Sequence, residues 1–137
     1  MTDGGPTSKP VLINATPQLL VSDIIASCDF FTRVLGFGLE FVYGEPPFYA
    51  QVIRDGASLA LRHVDRPVME TLAEAMKADI DMLAASISVD DVQALYLEFE
   101  ATGVAFHQEL RTEPWGARTF IVRDLDGNLL LFAGGAD

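Results

Sequence analysis

The sequence predicts an α+β fold of two tandem βαβββ modules, forming a curved mixed sheet around a cleft. Three observations predict it. The first is a repeat: an aspartate caps a helix at Asp23 and again at Asp91, 68 residues on, while an Asp-Gly turn at Asp55-Gly56 returns at Asp126-Gly127, 71 residues on. Offsets that agree this closely mark a duplicated unit, and one such unit has too little core to stand alone. The second is order: each half reads as strand, helix and three strands, with apolar spacing changing between the strand and helix periods. The third is the stretch Asp124-Leu125-Asp126-Gly127-Asn128, a hairpin signal because Asp, Gly and Asn tolerate the positive φ that tight turns need.

The elements follow in chain order. Residues 1–10 read as a loose tail, residues 11–134 as one domain. Ala15 to Ser22 is a strand, with Pro17 near its start suiting an edge or an arm. Ser22 or Asp23 caps a helix whose stripe is Ile24, Cys28, Phe31 and Leu35, widened by Phe30 and Val34, and Gly36 stops it. Phe37–Tyr43, Phe48–Arg54 and Ala57–His63 complete module 1 (about 11–64). Residues 65–82 connect the halves through a short surface helix near Met69–Lys77, built from good helix formers. Module 2 (about 83–134) opens with the strand Ala84–Val89. Its helix has the stripe Val92, Leu95, Tyr96 and Phe99 and stops at Gly103. Val104–Leu110, Thr119–Arg123 and Leu129–Phe132 follow, the last apolar without alternation and so buried on both faces.

Composition narrows the function classes. Half of the 137 residues are apolar, no apolar run approaches a membrane span, and the N-terminus lacks a signal-peptide core. A net charge of −11 argues against nucleic acid and anionic membranes as partners and is compatible with a cationic ligand. The single cysteine, Cys28, permits no internal disulfide, which fits a cytoplasmic setting. It lies on the apolar helix stripe as a small hydrophobe. Gly36-Phe37-Gly38 follows a helix instead of opening one, so it is no dinucleotide-binding turn. No serine sits in a nucleophile-elbow context.

Two stretches carry a family resemblance. RTEPWGARTFIVRDLDGNLLLF (111–132) contains PWGxRxFxxRDxDGNLLxF, and VSDIIASCDFFTRVLGFGLEF (21–41) has the matching first-module pattern. Together they resemble the vicinal oxygen chelate superfamily, the glyoxalase/bleomycin resistance protein/dioxygenase group, in its bleomycin-resistance-like branch. The resemblance covers about residues 11–134. It implies the paired-module fold, a homodimer with arm exchange through the Pro17 region, and a ligand held against the concave sheet.

The resemblance also implies four metal-ligand places, filled in the family's enzymes by His, Glu or Gln. Carried over, they fall on Thr16, Ala60, Ala84 and Leu131. A shift of one residue meets Ala15 and Pro17, Leu59 and Leu61, Leu83 and Ala85, or Leu130 and Phe132. Hydrocarbon groups cannot hold a divalent cation, so neither metal nor other cofactor is expected. His63, His107 and Glu109 are the leftover ligand types. Two histidines without a short ligand motif more often sit at a rim, bound to water or backbone.

Candidate ligand contacts are therefore aromatic and charged. Trp115, after Pro114 and before Gly116, offers a flat face on a turn. Phe48 and Tyr49 start a strand after Pro46-Pro47, where cleft, core and dimer interface are all open. Glu109 and Glu113, with Glu45, add negative charge, and Arg62 pairs with a carboxylate or receives an anionic group. The expected function is non-catalytic: a homodimer sequestering a cationic heteroaromatic antibiotic of the glycopeptide type, bleomycin-like or otherwise. Two alternatives stand beside it, a metal-dependent glyoxalase or dioxygenase with displaced ligands, and a small-molecule sensor.

Overall fold

The computed structural model describes residues 9–65 and 82–135, together with Glu70 and Glu74. Both of these glutamates are helical; the rest of the expected connecting helix at Met69–Lys77 lies outside the described residues, as does most of the tail.

Module 1 consists of β1 (Gln18–Val21), α1 (Ile24–Asp29), β2 (Gly38–Tyr43), β3 (Tyr49–Arg54) and β4 (Ala57–His63). Module 2 consists of β5 (Leu83–Ser88), α2 (Val92–Thr102), β6 (Ala105–Thr112), β7 (Arg118–Arg123) and β8 (Leu129–Gly134). Each module makes its own four-stranded mixed sheet. The orders are β1-β4-β3-β2 and β5-β8-β7-β6, with β1 parallel to β4, β5 parallel to β8, and the other pairs antiparallel. β1 is an edge strand, and the Pro17 carbonyl accepts from the Ala60 amide at 2.9 Å at its start.

The caps stand where the sequence puts them. Asp23 and Asp91 each accept a backbone N–H three residues on, from Ala26 and Ala94, both at 3.0 Å. Gly36 and Gly103 follow the helices with φ of 75° and 76°, the left-handed region that glycine enters without a Cβ penalty. One feature differs from a plain helix: α1 continues as a π-helical turn over Phe30–Val34. The wider turn lets two consecutive aromatics, Phe30 and Phe31, both point inward, with ring centroids 5.4 Å apart and edge-on.

α1 lies against β3 and β4, and α2 against β7 and β8. Leu19, Val21, Ala50, Val52, Leu59 and Leu61 are buried beneath α1. In module 2, Phe120 is the hub. It stacks on Phe132 at 5.2 Å and meets Phe99, Phe106 and Tyr96 at 5.3–5.9 Å.

Polar stitches join the modules. Ser22 donates from its backbone N–H and its Oγ to the Asp126 carboxylate, at 3.2 and 2.7 Å. Asn128 Nδ2 donates to the Leu20 carbonyl at 3.0 Å. Arg54 grips both oxygens of Glu98, at 2.7 and 2.9 Å, and also donates to the Leu35 carbonyl.

Candidate functional site

The face of the first sheet turned away from α1 carries two of the expected ligand contacts, Tyr49 and Arg62. On the first sheet, register fixes two rows, because residues paired across strands share a face. One row is Gln18, Ala60, Gln51 and Phe41, and the next is Leu20, Arg62, Tyr49 and Tyr43. Tyr43 and Phe41 are 65% and 40% exposed, and Phe41 stacks on Tyr49 with centroids 5.9 Å apart. Phe48 meets Tyr43 edge-on at 5.6 Å and is half exposed. Its ring packs over Gly44, where φ is 103° and any Cβ would overlap the ring. Tyr49, Phe48 and Arg62 are thus neighbours, as a shared site requires. Phe41 and Tyr43 join this group beyond the residues expected from sequence, and their spacing of two in a strand is the signal that places them on one face.

The other three expected contacts lie on the second sheet, around the β6–β7 turn. Trp115 is 75% exposed at the tip. Beneath it, Glu113 braces the turn. Its backbone N–H donates to the Ala117 carbonyl at 2.7 Å, and its carbonyl accepts from Gly116 at 2.9 Å. Its carboxylate accepts from Thr119 Oγ1 at 2.8 Å and from Arg111 Nε at 3.2 Å. These donors, Thr119 foremost, hold the carboxyl below the ordinary glutamate range. Gln108 Nε2 donates to Thr119 Oγ1 at 2.9 Å and extends the network. Glu113 is therefore placed to fix the turn that presents Trp115, while Glu109 is exposed on β6.

The structure does not unite the leftover metal-type residues. Register shifts between Phe106 and Gln108 and between Gln108 and Arg111 interrupt β6, so simple alternation does not put His107 and Glu109 on a common face. His107 Nδ1 meets Arg123 at 2.8 Å on the second sheet, whereas His63 ends β4 on the first, 3.5 Å from Asp65. Among the described residues, no group of three or more His, Cys, Asp and Glu side chains could hold a metal ion.

The four metal-ligand places implied by the resemblance do not carry ligands. Thr16, Ala60, Ala84 and Leu131 supply one hydroxyl and three hydrocarbon groups. Ala60 is covered, with Gln18 and Gln51 paired on either side, and Leu131 lies between Ser86 and Ile121. A hard divalent ion needs several carboxylate, imidazole or carbonyl ligands to replace its water. This set does not fit one.

The motif Asp124–Asn128 has a structural role. Asp124 is 6% exposed. Its Oδ1 accepts from the backbone N–H groups of Asp126 and Asn128 at 2.9 and 2.8 Å, and its Oδ2 accepts from Asn128 Nδ2 at 2.9 Å. Burial still pushes its carboxyl above the usual aspartate range, against those three donors.

A family model described as the Glyoxalase/Bleomycin resistance protein/Dioxygenase superfamily matches residues 13–132. Among solved structures, the chain is similar to the bleomycin-binding protein from bleomycin-producing Streptomyces verticillus complexed with copper(II)-bleomycin. Identity is 25% and the TM-score 0.73, covering 93% of this chain and 99% of that one. It is similar to TnmS3, an antibiotic binding protein from Streptomyces sp. CB03234, at 26% identity and a TM-score of 0.63, covering 93% and 100%. It also shares its fold with a bleomycin resistance determinant encoded on the transposon Tn5, at 20% identity and a TM-score of 0.68, covering 90% and 98%. No curated protein matches the chain.

Proposed function

The chain belongs to the Glyoxalase/Bleomycin resistance protein/Dioxygenase superfamily, and from that premise we propose that it is a non-catalytic small-molecule-binding protein. In this reading it sequesters a cationic, heteroaromatic antibiotic in clefts of a homodimer, and no bond is broken. The observation that carries the reading is the replacement of the family's metal-ligand set by Thr16, Ala60, Ala84 and Leu131, beside the exposed aromatics Phe41, Tyr43 and Phe48 and the half-buried Tyr49. Without ligands for a metal, the open face offers stacking, cation–π attraction and hydrogen bonds from Gln18, Gln51 and Arg62. The antibiotic-binding proteins among its structural likenesses support this class of ligand.

Assembly as a dimer belongs to the proposal. Tyr49 and Arg62 lie on the first sheet with Phe48 just before β3, and Glu109 lies on the second with Glu113 and Trp115 in its β6–β7 turn. A second copy that sets one sheet opposite the other would build two equivalent clefts from both groups. The N-terminal arm offers the means, since Val11, Leu12 and Ile13 are 80–96% exposed. Tryptophan fluorescence tests the reading, because Trp115 is the single tryptophan. Titration with copper(II)-bleomycin should quench it saturably at submicromolar ligand. Trp115→Ala, followed by calorimetry, should weaken binding by about 1–3 kcal/mol, the loss of one aromatic anchor. A flat titration with folded protein would refute the bleomycin assignment.

A further inference from the structure

The internal repeat predicts two equivalent corners where a hairpin turn of one module meets the strand-to-helix corner of the other. Only one has its turn bonded directly to the strand-to-helix corner; at the other, Arg54 reaches Glu98 on α2 instead. At the first, Ser22 bonds Asp126 through two donors, and Asn128 bonds the Leu20 carbonyl. Adding the repeat offsets places Asp90 where Ser22 stands, Asp55 where Asp126 stands, Ala57 where Asn128 stands and Ser88 where Leu20 stands. The counterparts of the Ser22–Asp126 and Asn128–Leu20 bonds are lost by these changes. Asp90 and Asp55 are both carboxylates and cannot bond each other when ionised, and Asp90 turns instead to the Asp91 amide at 2.7 Å. Ala57 has no side-chain amide to reach Ser88.

At this second corner the structure holds a cavity of about 860 Å³, lined by Asp55, Gly56, Ala57, Ser88, Asp90 and Asp91 among others. Its apolar wall includes Phe37, Leu59, Ile87, Leu95, Phe99 and Phe132. The volume falls within the range of about 300–1,000 Å³ typical of small-molecule pockets. Four carboxylates border it, Asp55, Asp90, Asp91 and Glu98, against one guanidinium, Arg54. That guanidinium is held by both oxygens of Glu98. Trp115, Phe48, Tyr49, Arg62, Glu109 and Glu113 are all absent from the lining.

We propose that this intermodule cavity is a second small-molecule site, taking an organic monocation with an apolar body. The apolar wall receives the body, and Asp55 and Asp90 face its ammonium or amidinium group. A divalent metal is the poorer fit, because no described cluster of three ligating side chains exists there. An organic cation needs only partial desolvation and one or two acceptors.

The test uses phenethylammonium as probe, with 3-phenylpropionate and 2-phenylethanol as the anionic and neutral counterparts, followed by amide NMR shifts on the full chain. The cation should give saturable shifts confined to residues 54–59 and 86–91, and bind more tightly than either counterpart. Asp55→Asn combined with Asp90→Asn should weaken the cation by up to about tenfold, the worth of two partly exposed charges. Asp90→Ser with Ala57→Asn, which restores the stitched pattern of the other corner, should abolish binding. Trp115→Ala should leave it unchanged, so that this site and the sheet-face site fail separately. The proposal is overturned if no saturable shift appears at tens of millimolar probe, or if the shifts lie on the open sheet faces. Equal binding of the anion, or full affinity in either double variant shown folded by circular dichroism, would also overturn it.

Discussion

Replacing Asn128 with alanine removes both hydrogen bonds that its side chain donates in the β7–β8 turn. One runs from Nδ2 to the Leu20 carbonyl at 3.0 Å, and the other from Nδ2 to Asp124 Oδ2 at 2.9 Å. The backbone bond from Asn128 N–H to Asp124 Oδ1 survives. A neutral hydrogen bond contributes about 1 kcal/mol net, and one to a charged acceptor about 1.5–3 kcal/mol, so Asn128→Ala should cost about 2.5–4 kcal/mol at pH 7. For a chain of 137 residues each kcal/mol moves Tm by about 3–4 °C, giving a fall of about 8–15 °C.

The cost should depend on pH with a definite sign. Asp124's carboxyl already lies above its ordinary 3.8 through burial, with Asn128 pulling it down. A group raised on folding favours the native state below its unfolded value, and that contribution is lost as pH rises through the folded value. Removing the Asn128 donor raises the folded value further. The variant should therefore lose less stability at pH 4 than at pH 7. Urea unfolding at the two pH values measures both quantities. A loss below about 0.5 kcal/mol at pH 7, the scale of an ordinary surface substitution, would refute the stitch. An equal loss at both pH values would refute the role given to Asp124.

Two more predictions are independent of that turn. Phe120→Ala empties the centre of a cluster of four other aromatic rings and should cost about 3–5 kcal/mol in chemical denaturation, where under 1 kcal/mol would contradict the hub. Glu113→Gln should shift Trp115 emission at pH 7 while circular dichroism stays native. In the parent protein, the contribution of Glu113 is present above the ordinary glutamate value of 4.5 and is lost as pH falls through its lowered folded value. The parent emission should therefore move towards that of the variant in acid, and an emission insensitive to both changes would remove Glu113 from the turn.

Much of the architecture was legible because it is local. Asp23, Asp91, Gly36 and Gly103 announce helix ends through capping and left-handed backbone, effects confined to a few residues. The repeat offsets then gave the module order. The site was harder because it depends on strand register, which the sequence does not show. The bulges in β6 interrupt the alternation by which residues 107 and 109 of a regular strand would share a face, and Gln108 bonds Thr119. The long reach of Glu113 to Thr119 and Arg111 turned an expected rim charge into a brace. The spacing of Phe41 and Tyr43 puts them on one face of a strand, and their pairing with Gln51 and Tyr49 puts that face in the site. Asp90 and Asp55 are unremarkable as single acids; the missing stitch appears only when the two corners are compared.

The central claim is binding without chemistry at an open aromatic sheet face. Equilibrium dialysis of metal-free bleomycin against chelator-treated protein, with mass analysis of the antibiotic recovered from the protein compartment, tests it most directly. Saturable retention without added metal and recovery of the antibiotic at unchanged mass are expected. Retention that requires an added divalent metal, or recovery of an altered product, would contradict it.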